Sequence, residues 1–283
     1  GIGLSLFPSG PELPDFKSLI VKGPYHPSAP IHLILSHAAK FPATRALMIT
    51  PSREAMASAL RDHNDSWMAT HSGKGKVLEL SGYTTVYYPP SPAHFSYLMS
   101  TLSTDAQSLD PAIILDRCPS LVVLIELSAY FLPDTQVNPN THSWTVSSYM
   151  TLVARTLASF ASLASAGSGE YTSSADITLV LFDSQLDELK LPVLKHPKTD
   201  AKKPSKLEKV AYFVQQYFDL VAVFKEDEFF ISSSQEDENQ ELDRQRWNCM
   251  QIFRRGQNEP LQTHRWAERQ DSNTGGVVFV WGG

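Results

Sequence analysis

Short apolar runs recur along the first two-thirds of the chain, and most lead into a segment with helical spacing. The runs are Leu19-Ile20-Val21, Ala46 to Thr50, Leu121 to Leu127 and Asp176 to Asp183. LVVLIEL and DITLVLFD are nearly continuous in apolar character, the pattern of central parallel strands buried on both faces. Between them, Ile31, Ile34, Leu35 and Ala38 recur at helical spacing behind Pro30. A helix opens at Pro51 to Glu54 and runs through Leu60, with Ser52 as N-cap. Another, Pro92 to Leu102, is capped by Ser91 and puts Phe95, Leu98, Met99 and Leu102 on one face. A long helix begins at a cap on Thr141 or Ser143 and runs to about Ala166, where Gly167-Ser168-Gly169 ends it. Its core stripe is Val146, Met150, Val153, Leu157 and Phe160. Its other faces carry Ser, Thr and Ala, and suit either helix-on-sheet packing or a protein interface.

Weaker signals fill the rest. His63 to Gly75 is polar, while Val77 to Leu80 and Thr85 to Tyr88 read as β, the second stopped by Pro89-Pro90. Helix and strand resume from Tyr212 to Phe224, and Arg246 to Arg254 with Val277 to Trp281 reads as a closing pair of strands. The sum is an α/β chain: a mostly parallel sheet flanked by helices, with an antiparallel β-rich C-terminal end. Residues 1–17 read as an irregular N-terminal arm and 18–283 as one domain, with a basic loop at 190–209 and an acidic loop at 226–243.

The segment Ser18 to Lys40 has the strand–loop–helix layout of a phosphate-binding loop, G-x-x-x-x-G-K-[ST]. On that template Gly23 keeps the first position. Ser28 stands for the second glycine, Ala29 for the lysine and Pro30 for the serine or threonine. Such a loop cradles phosphate with backbone N–H groups, a lysine charge and a magnesium-binding hydroxyl. Pro24, Pro27 and Pro30 have no N–H, Ala29 has no charge and Pro30 no hydroxyl. The expectation is a degenerate P-loop at 23–30 without nucleotide, cofactor or ATPase activity; an ordinary βα turn is the alternative. Gly73-Lys74-Gly75-Lys76 is no second P-loop, because no glycine lies five before Gly75 and Val77 replaces the hydroxyl.

Composition narrows the picture only mildly. The net charge of −6 over 283 residues gives no whole-chain argument for nucleic acid, so that argument rests on local patches. Cys118 and Cys249 are too far apart for a disulfide framework or a metal motif, which suits a reducing compartment, cytosol or nucleus. No apolar stretch reaches the roughly 18 residues of a membrane span. His32 and His37 are poorly spaced for joint ligation and read as surface or packing residues, so no metal site is expected. Glu126 or Ile125 falls where a magnesium-strand carboxylate belongs, with Ile113 to Asp116 a rival strand; Glu126 reads as a structural carboxylate at a buried edge. No G-x-S-x-G or H-E-x-x-H motif occurs, and a Ser–His–Asp triad assembled in space stays open.

Charge concentrates after the late strand. Lys190, Lys195, Lys198, Lys202, Lys203, Lys206 and Lys209 are interleaved with Pro192, Pro197 and Pro204. This composition describes a mobile basic loop, either merely solvated or in contact with a phosphate backbone. No aromatic residue interleaves the lysines, so base stacking is not expected there.

The order of elements resembles a RecA-type core: a P-loop position at Gly23 to Pro30, a magnesium strand at Leu121 to Glu126, and a late strand at Ile177 to Asp183 followed by a long loop. In recombinases of this type that loop contacts single-stranded DNA, and the lysine cluster stands at the matching place. Tyr87-Tyr88-Pro89-Pro90-Ser91 and the stretch from Pro119-Ser120-Leu121 through Tyr130 resemble the small RecA-like partner of the SWIM-domain protein in Shu complexes. The vertebrate partner keeps its P-loop; this chain departs from it there. The resemblance implies a nuclear, non-catalytic subunit that assists homologous-recombination repair. It would pair with a SWIM-domain protein or another RecA-like paralogue and bind single-stranded or forked DNA. A RecA-like structural subunit of the Elongator tRNA-modification complex, or a divergent ATPase, are the alternatives.

Overall fold

In a computed structural model, which describes residues 3–42, 44–104, 113–132, 144–167, 177–193, 206–227 and 247–282, the apolar runs become the spine of one sheet. The strands are β1 (Ser18–Lys22), β2 (Ala46–Ile49), β3 (Thr84–Tyr87), β4 (Leu121–Ile125), β5 (Thr178–Asp183), β6 (Lys190–Pro192), β7 (Leu207–Lys209), β8 (Leu220–Asp227), β9 (Trp247–Arg254), β10 (Gln262–Gln270) and β11 (Val277–Trp281). The helices are α1 (Ala29–Lys40), α2 (Arg53–Asp62), α3 (Ser66–His71), α4 (Gly75–Ser81), α5 (Pro92–Thr101), α6 (Val146–Gly167) and α7 (Val210–Val214). Among the described residues the main sheet runs β11-β10-β9-β8-β1-β5-β4-β2-β3. The pairs from β8 through β1, β5, β4 and β2 to β3 are parallel, and β8–β9, β9–β10 and β10–β11 are antiparallel. This is the predicted α/β architecture: a mostly parallel sheet flanked by helices, with an antiparallel β-rich C-terminal end.

Alternation within the strands divides the interior into two layers. Ile20, Leu47, Ile49, Val122, Leu124 and Leu181 face Phe95 of α5 and Tyr149, Val153 and Phe160 of α6. Leu19, Val21, Met48, Val123, Val180 and Phe182 face Leu33 and Ile34 of α1, Met250 and Trp266. Each fully buried Leu, Ile or Val contributes about 1.5–3 kcal/mol, which is why runs this short hold the centre of the sheet. The N-terminal segment has no regular element, yet Leu6, Phe7 and Leu13 are buried. The Phe7 ring stands 4.8 Å from Phe279 and 5.1 Å from both Trp266 and Trp281.

The predicted caps hold: Ser52 Oγ accepts from Ala55 N, and Ser91 Oγ accepts from His94 N. Four readings change. Val77 to Leu80 is not a strand but most of α4, because alternation over four residues is too short to tell the two periods apart. The polar stretch before it contains α3, capped by Asp65. The two closing strands do not pair with each other; β10 lies between them, and its QTHRWAERQ sequence hides it because few of its residues are buried. Ile113 to Asp116 forms no strand, only a bridge from Ile114 to Ser103. The long helix starts at Val146, with Tyr149 and Leu152 at the centre of its buried face and Met150 and Leu157 at its margin. The cap candidates Thr141 and Ser143 lie outside the described residues.

Candidate functional site at the strand ends and the basic ribbon

Parallel sheets place ligands beyond the C-terminal ends of their strands, and β1, β4 and β5 end together there. Gly23 turns the chain out of β1 at φ +87°, and a Cβ on it would lie 2.2 Å from the Phe224 carbonyl oxygen, so only glycine fits. The loop then folds inward. Tyr25 N–H donates to Gly23 O at 2.8 Å, and Ala29 N–H to His26 O at 2.9 Å. Ser28 precedes α1 and makes no side-chain cap bond; Ala29 is fully buried; Pro30 is the second residue of the helix rather than the first.

Tyr25 spans the gap from the loop to β4. Its ring packs 5.1 Å from Phe182, and its hydroxyl donates to Glu126 Oε1 at 2.5 Å. Glu126, just past β4, adopts a left-handed conformation at φ 52°, a strained backbone for a residue with a side chain. Its carboxylate also accepts from Ser184 N–H and Ser184 Oγ, both at 3.0 Å. Glu126 is half-buried, and these bonds tie the end of the interior strand β4 to the Gly23 loop and to the residue after β5. Asp183 ends β5 and is fully buried. Its Oδ2 accepts from Ser128 N–H at 2.9 Å and Tyr149 OH at 2.6 Å, while Oδ1 has no partner. Burial, then the neighbouring Glu126 charge, push the Asp183 carboxyl up to about 7. Burial and the same carboxylates raise the Tyr25 and Tyr149 phenols well above their ordinary range, so both remain donors.

A second polar cluster lies on the α1 side. Ser28 Oγ donates to Asp65 Oδ2 at 2.7 Å, and His32 Nε2 lies 2.6 Å from the same oxygen. Asp65 Oδ1 accepts from Trp67 N–H and Met68 N–H, capping α3. Burial works to raise the Asp65 carboxyl, but the bonds from His32 and Ser28 outweigh it and hold the carboxyl below its usual range. His26 Nδ1 is 2.8 Å from Ser28 Oγ. The same ring nitrogen accepts from Ser28 N–H at 3.3 Å. Burial lowers the His26 ring to about 4 against the upward pull of Asp65. Serine, histidine and aspartate therefore do meet in space. Here the serine lies between the other two and is fully buried, whereas a nucleophilic triad needs the histidine in the middle. Of the two histidines expected at the surface or in packing, both are buried, and His32 is held by a carboxylate.

The basic segment is not a loop throughout. Its ends form a two-stranded ribbon in which Lys190 lies opposite Lys209. Lys206 pairs with Glu208 at 2.6 Å; Lys195, Lys198, Lys202 and Lys203 lie outside the described residues. Of the acidic segment, Glu226 and Asp227 belong to β8, and Asp227 accepts from Arg265 Nε at 3.1 Å; residues 228–246 lie outside the description. Among the described residues no group of three or more His, Cys, Asp or Glu could hold a metal ion, and no helix is long and apolar enough to cross a membrane.

Sequence reasoning found Gly23, Ser28 and Glu126 but missed Tyr25, His26, Asp65, Tyr149 and Asp183 as interacting residues. The only hint was Asp183 at the end of an otherwise apolar strand. No family model matches the chain. No curated protein matches it either. Among solved structures it is similar to one titled as the crystal structure of the RadB recombinase, at 11% identity and a TM-score of 0.41, over 88% of this chain and 86% of that one. A likeness this distant leaves the functional reading to the residues themselves.

Proposed function

We propose that the chain is a non-catalytic RecA-like subunit of a Shu-type assembly in the nucleus, one that assists the recombinase in homologous-recombination repair. It pairs with a SWIM-domain protein or another RecA-like paralogue, and it contacts DNA through Lys190, Lys195, Lys198, Lys202, Lys203, Lys206 and Lys209. The supporting observation is the Tyr25–Glu126 bond. A phenol stands between the loop and the strand-end carboxylate, where P-loop ATPases hold magnesium and phosphate. The residues at the loop do not fit a magnesium triphosphate. Ala29 supplies no charge, Pro30 no hydroxyl, and two of the remaining amides bond within the loop.

Thermal melting with millimolar magnesium-ATP tests the first half. Binding to the folded state alone would raise the melting temperature, and no rise is expected; a clear rise with ATP hydrolysis overturns the non-catalytic reading. Affinity purification from nuclear extract tests the assembly. Recombination factors are expected, and recovery of Elongator subunits instead overturns it. A salt titration of DNA binding tests the lysines: replacing them by Ala should flatten the slope of log affinity against log salt.

A further inference from the structure

We propose that the cleft at the N-terminal ends of β1 and β8 is a binding site for a small phosphomonoester, with Arg254 and Arg255 on the phosphate and Phe16 and Leu220 against its organic part. The inference is independent of the DNA-binding reading above, and its failure would leave that reading untouched.

The cleft is made where three neighbouring strands share one end. β9, β8 and β1 lie side by side in the sheet, and Asp219 joins them there. Its N–H donates to Ser18 O at 3.1 Å, and its carbonyl oxygen accepts from Arg255 N–H at 2.9 Å. Leu220 then stands opposite Leu19 on one side and Arg254 on the other. Six residues separate Lys17 from Gly23, about 20 Å of extended chain, so the cleft is distinct from the Gly23 loop. It encloses ≈ 550 Å³, inside the range of about 300–1,000 Å³ typical of small-molecule sites.

Its walls combine charge with apolar surface. Arg254 and Arg255 line the β9 side and Lys17 the β1 side, two strand spacings or about 10 Å apart. Phe16, half-buried, and Leu220, fully buried, line the same cleft. The Asp219 carboxylate is already engaged, its Oδ2 accepting from Lys17 N–H at 3.2 Å and Ser18 N–H at 3.1 Å. Arg255 is held by a neutral acceptor, its Nη1 donating to Gln216 O at 3.3 Å. Among the described residues neither arginine is in an ion pair, and both are exposed. On a chain of net charge −6, two adjacent guanidiniums without acid partners concentrate positive potential in a concavity. A guanidinium fork matches phosphate oxygens two at a time. A phosphomonoester carries a charge of about −1.5 to −2 at pH 7 and so answers two guanidiniums, where a carboxylate answers one. A bare anion would leave the Phe16 and Leu220 surface unused, which assigns the ligand an organic body. Asp15, exposed on the same cleft, opposes the phosphate.

The test is isothermal calorimetry of the full chain with phenyl phosphate, inorganic phosphate and benzoate in low salt, where screening is least. Phenyl phosphate should bind about 10-fold or more tighter than either of the others. Arg254→Ala and Arg255→Ala should each weaken it about 10- to 100-fold. Arg254→Lys keeps the charge but not the fork and should recover only part of the loss. Asp15→Asn should tighten binding. An unchanged melting temperature verifies folding; if Arg255→Ala melts lower through loss of its bond to Gln216, Arg254→Ala decides alone. The proposal is overturned if phenyl phosphate does not bind, or if both arginine variants bind it as the wild type does. It is also overturned if inorganic phosphate binds as tightly as phenyl phosphate, which would mark an adventitious ion only. Displacement of phenyl phosphate by oligo(dT) at an equal concentration of phosphate would assign the cleft to a DNA backbone and overturn the small-ligand reading.

Discussion

The two buried polar clusters at the strand ends solve one problem in opposite ways. The Asp65 cluster surrounds one carboxylate with four donors: Ser28 Oγ, His32 Nε2 and the amides of Trp67 and Met68. The Glu126–Asp183 cluster brings two carboxylates together with phenols, hydroxyls and amides, and one Asp183 oxygen is left without a partner. The first carboxyl is held below its ordinary range and the second is pushed above it. Burial alone therefore does not set a charge state; the balance of donors to negative charges does. The first cluster ties α1 to α3, which in turn contacts β11 through the Asp65–Val277 bridge. The second closes the loop against the central strands.

Truncating the two acids should separate the clusters most widely. Asp65→Ala leaves four donors unpaired around a buried site and should cost about 3–5 kcal/mol by urea denaturation. Asp183→Ala strands the Tyr149 hydroxyl and the Ser128 amide, but it also removes a charge buried beside Glu126, so its cost at pH 8 should be smaller. Equal losses would break the comparison.

The pH dependence should then show opposite signs. With its folded value lowered to about 4, His26 contributes stability that is present above pH 6.5 and lost as the pH falls toward 4. His37, also lowered to about 4 by burial, acts in the same direction. Asp183, raised to about 7, binds a proton more readily when folded, so its contribution is present below pH 4 and lost as the pH rises through 7. Asp183→Asn should therefore gain on the wild type between pH 5 and pH 8, whereas His26→Gln should reduce the loss of stability between pH 6.5 and pH 4. Denaturation midpoints across that range read both effects, and a parallel shift at all pH values for either variant would refute its assignment.

The smallest effect expected is that of Tyr25→Phe. It keeps the ring against Phe182 and removes one charge-assisted hydrogen bond, at a cost of about 1.5–3 kcal/mol offset in part by the easier solvation of Glu126. A loss as large as that of Asp65→Ala would show the two clusters to be equally dependent on their donors.

Legibility followed the range of the interactions involved. LVVLIEL and DITLVLFD announced central strands because a strand buried on both faces must be apolar at every position. Ser52 and Ser91 announced helix starts because a cap acts within three residues. β10 stayed hidden because its neighbours, not its composition, make it a strand. Tyr25 and Glu126 are separated by 101 positions, and Tyr149 and Asp183 by 34, so no local pattern could pair them.

What the chain determined by itself was the inventory: apolar runs long enough for a parallel sheet, a glycine that alone permits the turn after β1, and a loop whose prolines remove its amides. Tertiary structure decided which polar groups that turn meets, and therefore which carboxyl is held charged and which is driven toward its neutral form. The reason is physical. Apolar burial and capping are satisfied by near neighbours, whereas the charge of a buried acid depends on donors brought to it from distant parts of the chain.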